Sequence, residues 1–459
     1  MRYDAIVIGA GLSGLAAAAR LAQFDKRVVL LERHEVWGGL NSFYTLRGRA
    51  YDVGLHALTN FVPKGTKRAP LTKILRQLRI PYEALRLGEQ RFSEIVTPRA
   101  RLRFTNDFED LVGGVADEFG GAEADRLRRL GDEIRAFGVG QEDSYELSAR
   151  EWLAGRLNQD LIDMLLVPIL YYGSAREDDI DLHTFSVLFQ SILLEGLSRP
   201  NGGVRTLLNL LVKKLKAEGA ELRLKTGVQR IVADANGDVH GVVLDDGTEL
   251  ESARVLSSAG WVETQRMLGR EVAPGEIGRL SFLESISSLD REPKELGIES
   301  ATAFYSTRDR FRYREPESLV DVTSGVMSAP NNFIADKPLK EGRVRLTVLA
   351  NYDRFRELAP ADYALAKEQA ADDAIAHATT LFPDWRPATT FRDAYSPTTV
   401  VRYTSRERGA IYGSPNKRFD GETGVRGLTL IGTDQGYLGV VGAMMSGISM
   451  ANRHALVTS

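Results

Sequence analysis

Ala5-Ile6-Val7-Ile8 is a short run rich in β-branched residues that stops at Gly9-Ala10-Gly11-Leu12-Ser13-Gly14, and no other stretch of the 459 residues constrains the fold so strongly. The apolar run reads as a buried parallel strand. Leu15 to Phe24 is rich in Ala and Leu with no breaker, so it reads as a helix. Arg27 to Leu31 is a second strand, and it ends on Glu32. Gly9 permits a tight turn, Gly11 lets the backbone approach a pyrophosphate, and Gly14 lets helix and strand pack closely. Around Leu12 and Ser13 the helix start offers free N–H groups and a positive dipole end to phosphates. Glu32 lies 23 positions after Gly9, where its carboxylate can accept from a ribose hydroxyl. These parts predict an α/β, Rossmann-like dinucleotide-binding domain. The acid alone leaves NAD and FAD both open.

Composition narrows the chemistry. There are no cysteines, which excludes disulfides, thiolate zinc sites, iron–sulfur clusters and a Cys nucleophile. The histidines, at 34, 56, 183, 240, 377 and 454, show no ligand spacing, so no metal is expected. Net charge is -3, and nothing points to nucleic acid. No apolar run approaches the ~18 residues that a bilayer span needs. The N-terminus carries no signal-peptide pattern, and a cytoplasmic protein is expected.

The other end of the chain holds a second strand–turn–helix junction. Arg426 to Ile431 reads as a buried strand stopped by Gly432. Thr433 to Leu438 is a loop, and Gly439-Val440-Val441-Gly442 opens a small-residue helix that runs towards Arg453. In the middle, Leu207 to Ala217 is an amphipathic helix with Leu208, Leu211, Val212 and Leu215 at helical spacing. A strand at 221–224, a hairpin signal at Asp245-Asp246-Gly247 and a strand into Ala259-Gly260 follow.

A second glycine pair, Gly38-Gly39, follows Glu32 and Arg33 closely and is similar to the extended FAD signature of glutathione-reductase-type and amine-oxidase-type flavoproteins. Together the blocks resemble the phytoene desaturase and carotene isomerase branch of the amine-oxidase-type flavoproteins, which also contains the retinol saturases. Arg199-Pro200-Asn201-Gly202-Gly203 looks like the family's entry to its middle FAD segment, and Tyr51-Asp52-Val53-Gly54-Leu55-His56 is similar to the retinol saturase form. Ala410-Ile411-Tyr412-Gly413 and Gly432-Thr433-Asp434-Gln435 are saturase- or isomerase-like. The resemblance implies FAD bound by both ends of the chain. Val228 would meet the adenine through its backbone, Ala259 would lie beside the pyrophosphate, and Asp434 would reach the ribityl chain. The helix start at Gly439 would point at the flavin ring. Leu40 stands where members often carry Arg or Lys, which argues against a true amine oxidase.

The resemblance covers 1–60, 199–265 and 395–459 as a discontinuous FAD-binding domain. Residues 61–198, expected to be largely helical, and 266–394 would form an inserted α+β substrate domain. Leu165, Leu166, Ile169, Tyr172, Phe185, Phe189 and Ile192 read either as core or as the lining of a greasy tunnel for a hydrophobic small molecule. Between 61 and 86, seven bases face only Glu83, and Leu71, Ile74, Leu75 and Leu78 sit at helical spacing. That segment reads as a solvated face over core, or as a peripheral contact with the inner face of a membrane.

His56 and Tyr437 are the candidate active-site polar groups. His56 follows a glycine expected near the isoalloxazine, where it could orient the ring or assist proton transfer, and a buried structural histidine is the other reading. Three functions stay open: a desaturase, saturase or isomerase of an isoprenoid polyene, an amine oxidase, and a non-catalytic flavin-binding protein. Glu32→Ala is predicted to weaken FAD binding by on the order of 1.5–3 kcal/mol, the value of a charge-assisted hydrogen bond. Titration of FAD into apoprotein measures it, and an unchanged affinity would put the ribose acid elsewhere.

Overall fold

A computed structural model describes residues 1–54, 57–136 and 145–456. Ala5–Ile8, buried at all four positions, is the central strand of a five-stranded parallel sheet. Val28–Leu31 and then Glu221–Arg223 lie on one side of it, and Val255–Ser257 and then Leu428–Leu430 on the other. A strand covered on both faces needs apolar side chains at successive positions, which explains why these runs do not alternate.

Two close backbone approaches lock helices onto this sheet. A Cβ on Gly14 would stand 1.9 Å from the Gly9 carbonyl oxygen, so only glycine lets helix Leu12–Ala22 sit so tightly on its strand end. A Cβ on Gly447 would stand 2.1 Å from the Ser13 carbonyl oxygen, which brings helix Gly439–Met450 against the first helix.

The middle segments build a seven-stranded sheet. Its order is Thr389–Tyr395, Ser281–Leu289, Gly342–Ala350, Ser324–Ser328, Thr302–Ser306, Ser93–Val96 and Arg101–Phe104. All neighbours are antiparallel except Thr302–Ser306 with Ser93–Val96. Side chains alternate between its two faces. Leu283, Leu346 and Val348 pack with the helix Pro360–Ala378 in one core. Phe282, Glu284, Val326 and Thr347 face the other way, onto a cavity shared with the five-stranded body.

The structure sharpens two expectations. Residues 61–198 are not only helical, since they supply Ser93–Val96 and Arg101–Phe104, the last two strands at one end of the seven-stranded sheet. The basic segment holds one α-helix, Pro70–Leu78, whose Leu71, Ile74, Leu75 and Leu78 are buried in one core with the first and last helices. The apolar stripe therefore belongs to the dinucleotide-type body and is not available to a bilayer. Lys67, Arg68, Lys73, Arg76 and Arg79 remain exposed beside it. The helices Gln159–Gly173 and Leu182–Phe189 place Leu165, Leu166, Ile169, Phe185 and Phe189 in the core, with Ile192 just beyond them, and only Tyr172 of that predicted set reaches the cavity. Among the described residues, no helix is long and apolar enough to cross a membrane.

Leu71→Ala should lower stability by about 2–5 kcal/mol, as core leucines do, read from the urea midpoint. A solvent- or membrane-facing leucine would shift it by no more than about 0.5 kcal/mol.

Candidate functional site

A cavity of about 510 Å³ runs between the two sheets. Its floor is the ends of the parallel strands and the turns that follow them. Gly9, Gly11, Leu12 and Ser13 line it, as do Glu32, Arg33, Gly38, Gly39, Leu40 and Gly54. Val228, Ala259, Gly432, Gly439 and Val440 complete that side. Residues from three distant parts of the chain therefore meet on one surface. Gly14, Val441 and Gly442 lie outside the lining, and Gly14 acts through the helix–strand approach already described. Leu55 and His56 lie outside the described residues.

Two helix starts open on this cavity without a side-chain cap. Neither Leu12–Ala22 nor Gly439–Met450 has a side-chain hydrogen bond at its N-cap or an acid in its first turn. Their leading N–H groups and positive dipole ends are free for an anionic or strongly polar ligand. Glu32 is held in place, with Oε2 accepting from the Ala10 N–H at 2.7 Å and Oε1 from the His34 N–H at 2.9 Å. Each oxygen keeps a second lone pair for a hydroxyl donor. Arg33 donates to the Val228 carbonyl at 3.0 Å and pairs with Asp245 at 3.1 Å, which ties the rim of the site together.

Two expectations are corrected. Asp434 does not present its carboxylate to the cavity. It is 1% exposed and accepts from the Trp261 N–H at 2.7 Å and the Ser414 N–H at 2.8 Å, with Arg406 at 3.6 Å and Lys417 at 3.7 Å. Its lone pairs are used in joining three loops beneath the site. Burial pushes Lys417 down to about 8, while the Asp434 charge works in the opposite direction. Tyr437 is not in the cavity wall either. It packs behind Gly442, burial raises its phenol, and Leu438 takes the wall position instead.

With this geometry in hand, sequence relatives are informative. The family of flavin-containing amine oxidoreductases matches residues 12–453. The chain belongs to that family. Prolycopene isomerase of Arabidopsis thaliana is 26% identical over 518 residues, covering 99% of this chain and 82% of that protein. All-trans-retinol 13,14-reductase of Danio rerio is 25% identical over 527 residues, covering 97% and 85%. Phytoene desaturase of Fusarium fujikuroi is 28% identical over 316 residues, covering 62% and 53%. An oxidoreductase from Methanosarcina mazei shares the fold, with a TM-score of 0.69 at 16% identity over 98% of this chain and 100% of that one. Putrescine oxidase bound to putrescine shares it with a TM-score of 0.63 at 16% identity over 99% of both chains.

Family membership makes the cofactor a flavin, and the cavity fits one. Two uncapped helix starts, a backbone left open at Gly11 and a positioned acid are what a phosphate-bearing flavin requires. The opposite wall comes from residues that sequence reading did not single out, Phe282, Glu284, Val326, Thr347 and Tyr395, together with Ile411 and Tyr412 of the saturase- or isomerase-like stretch at 410–413. A signal existed for part of this. Glu284 interrupts an otherwise uncharged strand, and Arg345 stands within another.

Asp434→Asn should destabilise the apoprotein by about 3–5 kcal/mol, because Lys417 and Arg406 would lose their buried counter-charge. Chemical denaturation of flavin-free protein measures this. An unchanged midpoint with weakened flavin binding would return Asp434 to the ligand.

Proposed function

We propose that the protein is an FAD-dependent oxidoreductase acting on carbon–carbon bonds of a carotenoid or other isoprenoid polyene. The observation that carries this reading is the continuity of the cavity. Its nucleotide-type floor passes without a break into a lining of Tyr171, Phe282, Val326, Ile411, Tyr412 and Leu438. The two tyrosines leave little polar surface for a ligand, since Tyr412 donates to the Tyr171 carbonyl at 2.6 Å and the Tyr171 hydroxyl bonds Ser324 at 2.9 Å. What these six residues present is ring face and methyl, suited to a carbon chain. Three relatives named for prolycopene, retinol and phytoene support the substrate class.

FAD, as against a smaller flavin, is supported by Glu32 and Val228 opening on the same cavity as the Gly439 helix start. A ligand with a ribose at one end and a ring at the other matches both. When bound, the flavin supplies hydride acceptance or donation. The protein's part is to hold an unreactive carbon chain in register and to exclude water. A cytoplasmic protein that touches the inner face of a membrane is part of the proposal. With the apolar stripe turned inward, that contact would be electrostatic, through Lys67, Arg68, Lys73, Arg76 and Arg79, at about 1 kcal/mol per base near an anionic surface.

Anaerobic incubation of flavin-loaded protein with polyenes and with amines tests the reaction class. Bleaching or turnover with a polyene is expected. Bleaching by amines alone would make it an amine oxidase, and silence with both would make it a flavin-binding protein without catalysis. In a second measurement the protein should sediment with anionic vesicles at low salt and leave them at high salt. Replacing Lys67, Arg68, Lys73 and Arg76 with Gln should abolish sedimentation without changing flavin content.

A further inference from the structure

Among the described residues, three bases line the cavity: Arg33, Arg266 and Arg406. Arg33 is held by the Val228 carbonyl and Asp245, and Arg266 is paired with Glu407. Buried polar groups of the sheet wall are bonded as well. Arg345 donates to Glu284 at 2.6 Å, the Tyr395 phenol donates to Glu284 at 2.6 Å, and Arg199 donates to Asp52 at 2.5 Å. Arg406 is different. It is 7% exposed, yet its guanidinium makes no hydrogen bond to any described residue. The closest carboxylate oxygen, Asp434 Oδ2, is 3.6 Å away and already accepts from the Trp261 N–H at 2.7 Å. A guanidinium carries five N–H donors, and holding them out of bulk water without acceptors is costly.

The local backbone is bent to put this side chain where it is. Ser405 and Arg408, on either side of it, both take the left-handed conformation at φ 57°, which is uncommon for residues with side chains. Gly413 makes the room, since a Cβ there would stand 2.5 Å from Arg406 Nη1. The helix Pro397–Thr404 carries the chain from the seven-stranded sheet to this point, and Tyr403 at its end meets the His34 ring edge-on at 5.1 Å. A short run of contacts leads from Arg406 to the first glycine turn. Asp434 bonds the turn that follows Ala259 and Gly260, and Ser258 Oγ reaches the Gly9 carbonyl at 3.1 Å. On the other side Asp434 lies two positions after Gly432, where a Cβ would stand 2.8 Å from Ser13 Oγ. Arg406 therefore stands beside the two turns that flank the uncapped helix start at Leu12.

The two acids near Arg406 hold it by charge and leave its donors open. Asp434 spends its oxygens on the Trp261 and Ser414 N–H groups, and Glu263 Oε1 accepts from the Glu407 N–H at 2.7 Å. What the guanidinium lacks is an acceptor on the cavity side, and its planar fork matches two oxygens of one phosphate. Leu40, which follows the glycine pair, offers such a ligand no charge. We propose that Arg406 binds the pyrophosphate of the cofactor together with the N–H groups that open helix Leu12–Ala22, with Asp434 and Gly413 positioning its guanidinium. Because Arg406 arrives on a segment that leaves the seven-stranded sheet, the contact also ties that body to the nucleotide. This assignment rests on the FAD reading above and names the base that holds the phosphates.

The test is titration of flavin-free protein with FAD and with riboflavin, which has the ring and ribityl chain but no phosphate, read by quenching of flavin fluorescence. Arg406→Gln should weaken FAD binding by about ten- to a hundredfold, the value of charge-assisted hydrogen bonds, and leave riboflavin binding as in the parent protein. Arg406→Lys, which keeps the charge facing Asp434 and Glu263 but not the fork, should show the same selective loss at about three- to tenfold. If the Gln variant does not fold, the Lys variant decides. A third measurement needs no variant: ADP should displace FAD from the parent protein at a lower concentration than adenosine does. Equal losses for FAD and riboflavin would move Arg406 to the ring or ribityl chain. That result, unchanged FAD affinity in both variants, or adenosine competing as well as ADP overturns the inference and leaves the FAD reading standing. If the parent protein binds riboflavin as tightly as FAD, both fall together.

Discussion

The N–H groups that open the first helix have no side-chain cap, and much of the molecule is arranged to keep them uncovered and aimed at one cavity. Their direction depends on helix Leu12–Ala22 lying directly on its own strand end, which depends in turn on the missing side chain at Gly14. Strand order follows, because the first strand must sit in the middle of the parallel sheet for the turn after it to face the cavity centre. The C-terminal helix repeats the device from the opposite side. Two like-signed dipole ends that converge on one space repel each other mildly in the empty protein. An anionic, polar cofactor relieves both at once.

The dinucleotide-type half was legible because its signals are local. A strand, a glycine turn, a helix and an acid fall within the first 32 residues, and each is dictated by backbone geometry. The opposite wall was not legible for a corresponding reason. Val326, Thr347, Glu284 and Tyr395 become neighbours only through strand register, which is set by packing between segments up to 111 positions apart, as for Glu284 and Tyr395. Asp434 shows an intermediate case. Its residue type and location were right, but its partners come from loops at 261, 406, 414 and 417 whose paths no periodicity encodes. Helical spacing at 71–78 identified a real apolar face and said nothing about what covers it.

The two walls of the cavity also use electrostatics differently. The nucleotide side works with backbone dipoles and few side-chain charges, which suits a ligand that brings its own charge. The sheet side buries whole ion pairs and balances them internally. Charges arranged that way contribute little to stability and a good deal to geometric definition, since a phenol held by a carboxylate has one orientation. A flexible apolar substrate supplies no such definition, so the protein has to.

The contact between Gly447 and the Ser13 carbonyl joins positions separated by 434 residues. At a translation rate of about 5–20 residues per second, the first helix waits on the order of 20–90 s for its partner. During that interval its apolar flank, later covered by Val441, Met444 and Ile448, has nothing permanent to rest against. Cofactor capture therefore waits until the segment around Gly439 has been made, and chaperone protection of the nascent chain matters more here than for a domain whose ligand site closes within its first hundred residues.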